Sequence, residues 1–255
     1  MHRLSVTIIA GAEEENIRGC LETVRWADEI IVVNNFTDDR TVEIAREFTS
    51  RVFQRKWEGF ASQKRFALEQ ATHEWVLSID ADERVSPELH SEVLSIIKSD
   101  TPFNGFQIPR RSYFLDRWIK SCGWYPGYQL RLFRKTKARM TDRLVHEGFE
   151  VDGTIGTLAG DIIHYTHPSI KITIQKINEY SSLQALEKYE KRKVSTAGLI
   201  FRPILAFLQM FIGRKGYRDG AYGAMVSIIH AITYSLMVMK MWELQHSRPP
   251  EKKPQ

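Results

Sequence analysis

Cysteine is scarce in this chain: Cys20 and Cys122 are the only two among 255 residues. They lie far apart with no His or Cys at ligand spacing, which excludes a disulfide framework and a structural zinc site and fits a reducing cytosol. The N-terminus lacks the long apolar run and small-residue cleavage pattern of a signal peptide, so Leu4 to Ile9 reads as a first strand. Internal repeats are absent too. No nucleic-acid reading motif accompanies the basic residues, which argues against a nucleic-acid partner.

What charge there is sits unevenly. From Pro168 onward, 14 Lys and Arg stand against 6 Asp and Glu, a net +8. The whole chain carries +5, which leaves −3 for residues 1–167. A basic tail can meet an anionic membrane surface.

The first hundred residues alternate strand and helix signals. Leu4–Ile9, Glu29–Val33, Arg51–Phe53 and Trp75–Ile79 read as strands. Helical spacing of apolar residues falls between them, at Ile17, Leu21 and Val24, over 40–48, and over 60–71; a further helix carries Leu89, Val93, Leu94 and Ile97. Repeated βα units imply a doubly wound, mostly parallel sheet with right-handed crossovers. From Gly105 to His164 the segments become short, aromatic and basic, which predicts strands and loops beside the sheet. The last third is helical, with two apolar segments, Thr196 to Gly213 and Ala221 to Met239. Arg202-Pro203 interrupts the first and polar residues weaken the second, favouring helices that lie at a membrane interface over a spanning hairpin. Two ordinary core helices are the other reading. The expected cations at that interface are Arg192, Lys193, Arg214, Lys215, Arg218 and Lys240. The domains expected are 1–167, divided into a doubly wound half (1–100) and a strand-and-loop half (101–167), a helical extension 168–245 and a disordered tail 246–255.

The stretch Trp75-Val76-Leu77-Ser78-Ile79-Asp80-Ala81-Asp82-Glu83-Arg84 breaks from a buried strand into acid. Three carboxylates thus land at a strand's C-terminal end, where open α/β sheets bind ligands. Asp80 and Asp82 are hard donors suited to Mg²⁺ or Mn²⁺. Alternatively, the acid favours the N-terminus of the next helix, which Ser86-Pro87-Glu88 announces.

Several stretches resemble the family 2 glycosyltransferases in order and spacing. They are Leu4 to Ile9, Glu13 to Glu22, Trp26 to Val33, Thr41 to Ala45, Gly59 to Lys64, Asp80 to Arg84, Gln129 to Arg134, Val145-His146-Glu147, His164-Tyr165 and Asp219-Gly220. Within that family the likeness is to bacterial enzymes that add a β-linked glucose to the lipopolysaccharide inner core. The resemblance implies a GT-A nucleotide-sugar-binding fold with a membrane-associating helical extension, a divalent metal, and inverting transfer from a nucleotide sugar such as UDP-glucose. The implied acceptor is a lipid-linked saccharide, and the implied location the cytoplasmic face of the inner membrane. A polyprenyl-phosphate acceptor, or a catalytically silent nucleotide-sugar-binding protein, are the alternatives.

By the same resemblance, Asp82 touches the metal, Asp80 faces the ribose or the metal, and His164 completes the shell. Gln63, Lys64 and Ala81 lie near the nucleotide, with a solvated helix face as the alternative for Lys64. Glu147 is the base, with Asp142 its rival. His146 lies on the acceptor side, and both histidines have a purely structural alternative. Arg131 is placed on the acceptor side, although Arg131 and Arg134 fall on opposite faces of any strand. Two motifs depart from the family. After the first strand, Ala10-Gly11-Ala12-Glu13-Glu14 replaces the usual Thr-Lys-Asn-Glu-Glu. After the second, Asn34 stands where family members carry an Asp that contacts the base, so the donor read there can differ.

Overall fold

In the computed structural model, residues 2–141 and 148–246 are described. Two compact units form: residues 1–120 with 124–166, and residues 121–123 with 167–255.

The first unit is built on a seven-stranded sheet. Its parallel part comprises β1 (Leu4–Ala10), β2 (Glu29–Asn34), β3 (Val52–Gln54) and β4 (Trp75–Asp80). β1 is buried along its whole length, as expected of a strand with helices on both faces. Alternation divides the core. Leu4, Val6 and Ile8 join Trp75, Leu77 and Ile79 beneath α1 (Ile17–Glu22), α2 (Thr41–Arg46) and α4 (Pro87–Lys98). Ile9, Ile31, Val33 and Val76 face Ala67 and Leu68 of α3 (Phe60–Gln70).

Just ahead of α4 lies β5 (Glu83–Val85), and beyond it come β6 (Gly105–Ile108), β7 (Arg110–Phe114), β8 (Arg117–Trp118) and β9 (Gln129–Arg134). The unit closes with β10 (Ala138–Met140), β11 (Phe149–Val151), β12 (Ile155–Thr157) and β13 (Ile162–His167). The large sheet runs β12-β6-β9-β4-β1-β2-β3, and a four-stranded sheet runs β5-β13-β7-β8. Three of the short strands thus extend the main sheet itself, with β9 antiparallel to β4. The chain winds outward from β1 to β3, then returns to β4 on β1's other side. This places a topological switch point between the C-terminal ends of β1 and β4.

The second unit packs α5 (Ile170–Lys188) and α6 (Thr196–Leu208, continued by a π-helical turn Gln209–Gly213) against α7 (Gly220–His246). Ser169 and Ser195 cap α5 and α6 by accepting from the Ile172 and Gly198 amides. Lys240, one of the expected interfacial cations, also has a structural partner. Its ammonium donates to the Asn178 carbonyl and Oδ1 and to Ser181 and Ser182, tying α7 to α5. Ile200, Phe201, Ile204, Leu205 and Ile212 are each more than half exposed. Thr196–Gly213 and Gly216–His246 are long and apolar enough to cross a membrane by length and composition. The tail expected to be disordered lies almost wholly in 247–255, outside the described residues.

Candidate active site

The acidic turn after β4 is separate from the start of α4. Ser86 caps that helix by accepting from the Leu89 amide, and Pro87 occupies its first turn. The three carboxylates before Ser86 therefore serve another purpose, and each is held differently.

Asp80 sits between two cations. Lys64 Nζ lies 3.1 Å from one of its oxygens, and Arg131 donates to the other at 2.9 Å. Arg131 also donates to Glu83 at 2.9 Å, and Glu83 accepts from the Asp80 amide at 2.8 Å. Two acids and two bases thus balance in a nearly dry network, since Glu83 is fully buried and Lys64 and Arg131 almost so. Burial alone would raise the Asp80 carboxyl, but Lys64 and Arg131 hold it well below the usual carboxylate range. The Arg131 guanidinium, whose charge burial opposes, is raised by Glu83 and Asp80.

Each partner arrives by its own element. Gly59, at φ +99°, turns the chain into α3 and brings Lys64 into its first turns. The antiparallel pairing of β9 with β4 carries Arg131 up to Asp80, while Arg134, on the other face, stacks over Trp75 at 4.7 Å. Lys64 is therefore no solvated side chain. Arg131, expected on the acceptor side, is instead a buried counter-charge inside the network.

Asp82 faces a different partner. Its Oδ2 is 3.3 Å from His164 Nε2, and Ser112 Oγ lies 3.4 Å from the other ring nitrogen, fixing the imidazole. The Tyr165 amide donates to the Asp82 carbonyl at 3.0 Å, so β13 supports the turn directly. Ala81 is buried beneath it, its amide directed to the Ile9 carbonyl.

Asp82 offers a hard carboxylate oxygen and His164 a borderline imidazole nitrogen, a pair that can hold a divalent cation. Asp80, expected to be a ligand as well, is already neutralised by Lys64 and Arg131. Among the described residues no group of three or more His, Cys, Asp or Glu is placed to hold a metal. Two protein donors fit Mg²⁺ or Mn²⁺, which commonly fill their remaining positions with phosphate oxygens and water.

At the end of β2, Asn34 is fully buried. Its Nδ2 donates to the Gly11 carbonyl at 3.1 Å, to Thr37 Oγ1 at 3.0 Å and, more weakly, to the Ala10 carbonyl at 3.4 Å. The Thr37 hydroxyl donates to Asp39, which also accepts from Thr41, and Thr41 accepts from the Glu13 amide. Burial would raise the Asp39 carboxyl, but its bonds from Thr41 and Thr37 lower it. Asn34 thus clamps the ends of β1 and β2 together, its amide engaged with the Ala10 and Gly11 carbonyls and with Thr37. Gln63 is likewise turned inward, donating to the Arg55 and Lys56 carbonyls after β3. Asn34→Asp, which restores the residue usual in the family, would set carboxylate oxygens against two carbonyls. The expected cost is about 1–3 kcal/mol, read as a lower denaturation midpoint.

His146, Glu147 and Asp142 fall in 142–147, outside the described residues. The parts of the site that sequence reasoning missed are Ser112 behind His164, the inward turn of Glu83, and the Asn34–Thr37–Asp39–Thr41 chain. Only the last carried a signal, a run of Asx and Thr residues after a strand.

Residues 5–151 match the family described as Glycosyl transferase family 2. The chain belongs to that family. It is a glycosyltransferase with the GT-A architecture. It is 28% identical to the lipopolysaccharide core biosynthesis glycosyltransferase LpsC of Rhizobium meliloti, over 94% of this chain and 92% of that protein. An uncharacterised glycosyltransferase of Rickettsia typhi is 32% identical over 96% of this chain and 88% of its own length. Among solved structures, S. aureus TarS 1–349 in complex with UDP-GlcNAc superposes with a TM-score of 0.50 at 12% identity, covering 96% of this chain and 92% of that one. Mannosyl-3-phosphoglycerate synthase from Rubrobacter xylanophilus does so at 0.50 and 14%, covering 76% and 78%. At such identities the two structures speak for the fold alone.

Proposed function

We propose that this family 2 glycosyltransferase is an inverting, metal-dependent hexosyltransferase that moves glucose from UDP-glucose onto a lipid-linked saccharide such as the lipopolysaccharide core. The observation that carries the reading is the Asp82–His164 pair at the switch point, next to an Asp80 carboxylate locked by Lys64 and Arg131. The likeness to a core biosynthesis enzyme supports the saccharide acceptor. The exposed apolar residues of α6, with Arg192, Lys193, Arg214, Lys215 and Arg218 near its ends, support peripheral contact with the cytoplasmic face of the inner membrane.

Asp82 and His164 would hold Mg²⁺ or Mn²⁺, which as a Lewis acid neutralises charge developing on the departing diphosphate. The protein's own groups do the rest. Lys64 and Arg131 keep Asp80 ionised and fixed, so the turn needs no rearrangement as charge moves. Ser112 holds the His164 ring. Glu147 takes the proton from the attacking acceptor hydroxyl on the sugar face opposite the leaving group.

A panel of UDP-glucose, UDP-N-acetylglucosamine and GDP-mannose, each with Mn²⁺ or EDTA, tests this against core-oligosaccharide lipid and polyprenyl phosphate as acceptors. Turnover is expected with UDP-glucose and the core lipid, and its loss in EDTA. Glu147→Gln should lower transfer about 10²–10⁴-fold with UDP affinity retained. Unchanged transfer in that variant removes Glu147 from the role, and transfer to polyprenyl phosphate alone replaces the acceptor.

A further inference from the structure

The four-stranded sheet has two unlike faces. Inward lie Ser112, Phe114 and His164, all buried. By strand alternation Arg111, Tyr113 and Tyr165 point the other way, and Trp118 joins them because it pairs directly with Tyr113. Tyr165 and Tyr113 meet at 5.3 Å between ring centroids, and Trp118 meets Tyr125 edge-on at 5.0 Å. Aromatic side chains thus run across β13, β7 and β8.

Cations sit over this row. The Arg84 guanidinium lies 5.6 Å from the Tyr165 ring, and Arg111 and Lys120 lie 4.6 and 4.5 Å from the Trp118 ring. Arg111 is also paired with Asp161. Between Gly105 and Tyr128 the chain holds four Lys or Arg and a single acid, Asp116, although residues 1–167 as a whole are net negative. The row begins at the active site. Tyr165 follows His164, donates its amide to the Asp82 carbonyl, and leaves 41% of its surface exposed.

We infer that this outer face is a binding platform for an anionic saccharide, reaching from the Asp82 turn outward. It deepens the reading above by naming the acceptor's chemistry, and it rests on that reading only for the ligand's part in transfer. Sugar rings present C–H groups with partial positive charge, which suit the ring surface the cations leave open, chiefly that of the exposed Tyr165. Phosphate or carboxylate substituents suit the exposed Lys120 ammonium, while Arg84, which donates to the Ala81, Glu83 and Asn16 carbonyls, and Arg111, paired with Asp161, add positive field behind it. Three strands spaced by about 4.8 Å give a row of roughly 10 Å, enough for about two hexose rings.

Calorimetric titration with three probes tests the platform: the deacylated, phosphorylated core oligosaccharide of a lipopolysaccharide, the same oligosaccharide after dephosphorylation, and neutral maltotetraose. Wild-type protein should bind the phosphorylated probe at least tenfold more tightly than either of the others. Tyr165→Ala should weaken that binding about tenfold or more, Tyr165→Phe should restore it, and Lys120→Glu should weaken the phosphorylated probe selectively. UDP titration of the same samples checks that the donor half is folded. Should Tyr165→Ala prove misfolded, Lys120→Glu decides alone, since its side chain is at the surface. Wild-type affinity in Lys120→Glu and in folded Tyr165→Ala, or equal affinity for maltotetraose, overturns the platform. Absence of UDP-glucose turnover in the wild type would sink the proposed reaction and leave this binding result standing.

Discussion

Arg131→Met should lower the unfolding free energy by about 3–5 kcal/mol at neutral pH, the cost of stranding buried charge when one partner of a buried pair is removed. Arg131 is the only side chain in the described network that bonds both Asp80 and Glu83. Methionine keeps the apolar stem but is shorter and uncharged, leaving Lys64, paired with Asp80, as the one cation remaining in this network. The pH dependence supplies a second signature. In the wild type, Asp80 titrates below its unfolded value near 3.9. Its contribution is therefore complete above about pH 4 and is lost as acid brings the pH down towards the depressed folded value. In the variant, burial is opposed by Lys64 alone, and Asp80 accepts a proton more readily. The gap between variant and wild type should then narrow from pH 7.5 to 4.5 in guanidinium denaturation. A gap below 1 kcal/mol at pH 7.5, or one that widens in acid, would show that the network does not stabilise the fold in this way.

Asp82→Asn should abolish most turnover while sparing the fold. In the proposed reaction the carboxylate would be one of two donors to the diphosphate's cation, and an amide keeps the shape but loses the charge. A loss of about 3–4 kcal/mol of transition-state stabilisation corresponds to roughly 10²–10³-fold in kcat. Because Asp82 pairs with His164 rather than bridging Asp80 and Glu83 as Arg131 does, and asparagine keeps its shape, its denaturation midpoint should stay near that of the wild type. The contrast with Arg131→Met is the informative part: one variant loses stability, the other chemistry. Steady-state assays with UDP-glucose and Mn²⁺ read the first quantity and thermal melts the second. Turnover within threefold of wild type in Asp82→Asn would remove it from the site.

The βα alternation was legible because it depends on local pattern. A strand buried on both faces must be apolar along its length, as Leu4 to Ala10 is, and a helix covering it must repeat its apolar residues at 3.6. The start of α4 could be read from Ser86 and Pro87 for the same reason. The short strands after Gly105 were legible as strands, but pairing partners lie far away in sequence, and nothing local told that β9 would enter the main sheet antiparallel to β4.

What the chain's order of residues determined by itself was the class of fold, the family, and the placing of acid at the end of β4. What only tertiary structure decided was the duty of each charged or polar side chain there. Lys64 and Arg131 reach Asp80 from elements 16 and 51 residues away. Asn34 turned inward because the Ala10 and Gly11 carbonyls converged on it, and Lys240 turned towards α5 because four acceptors awaited it. Periodicity says which face of an element is apolar. The partner of a buried charge is set by how distant elements pack, and by the high cost of leaving such a charge alone.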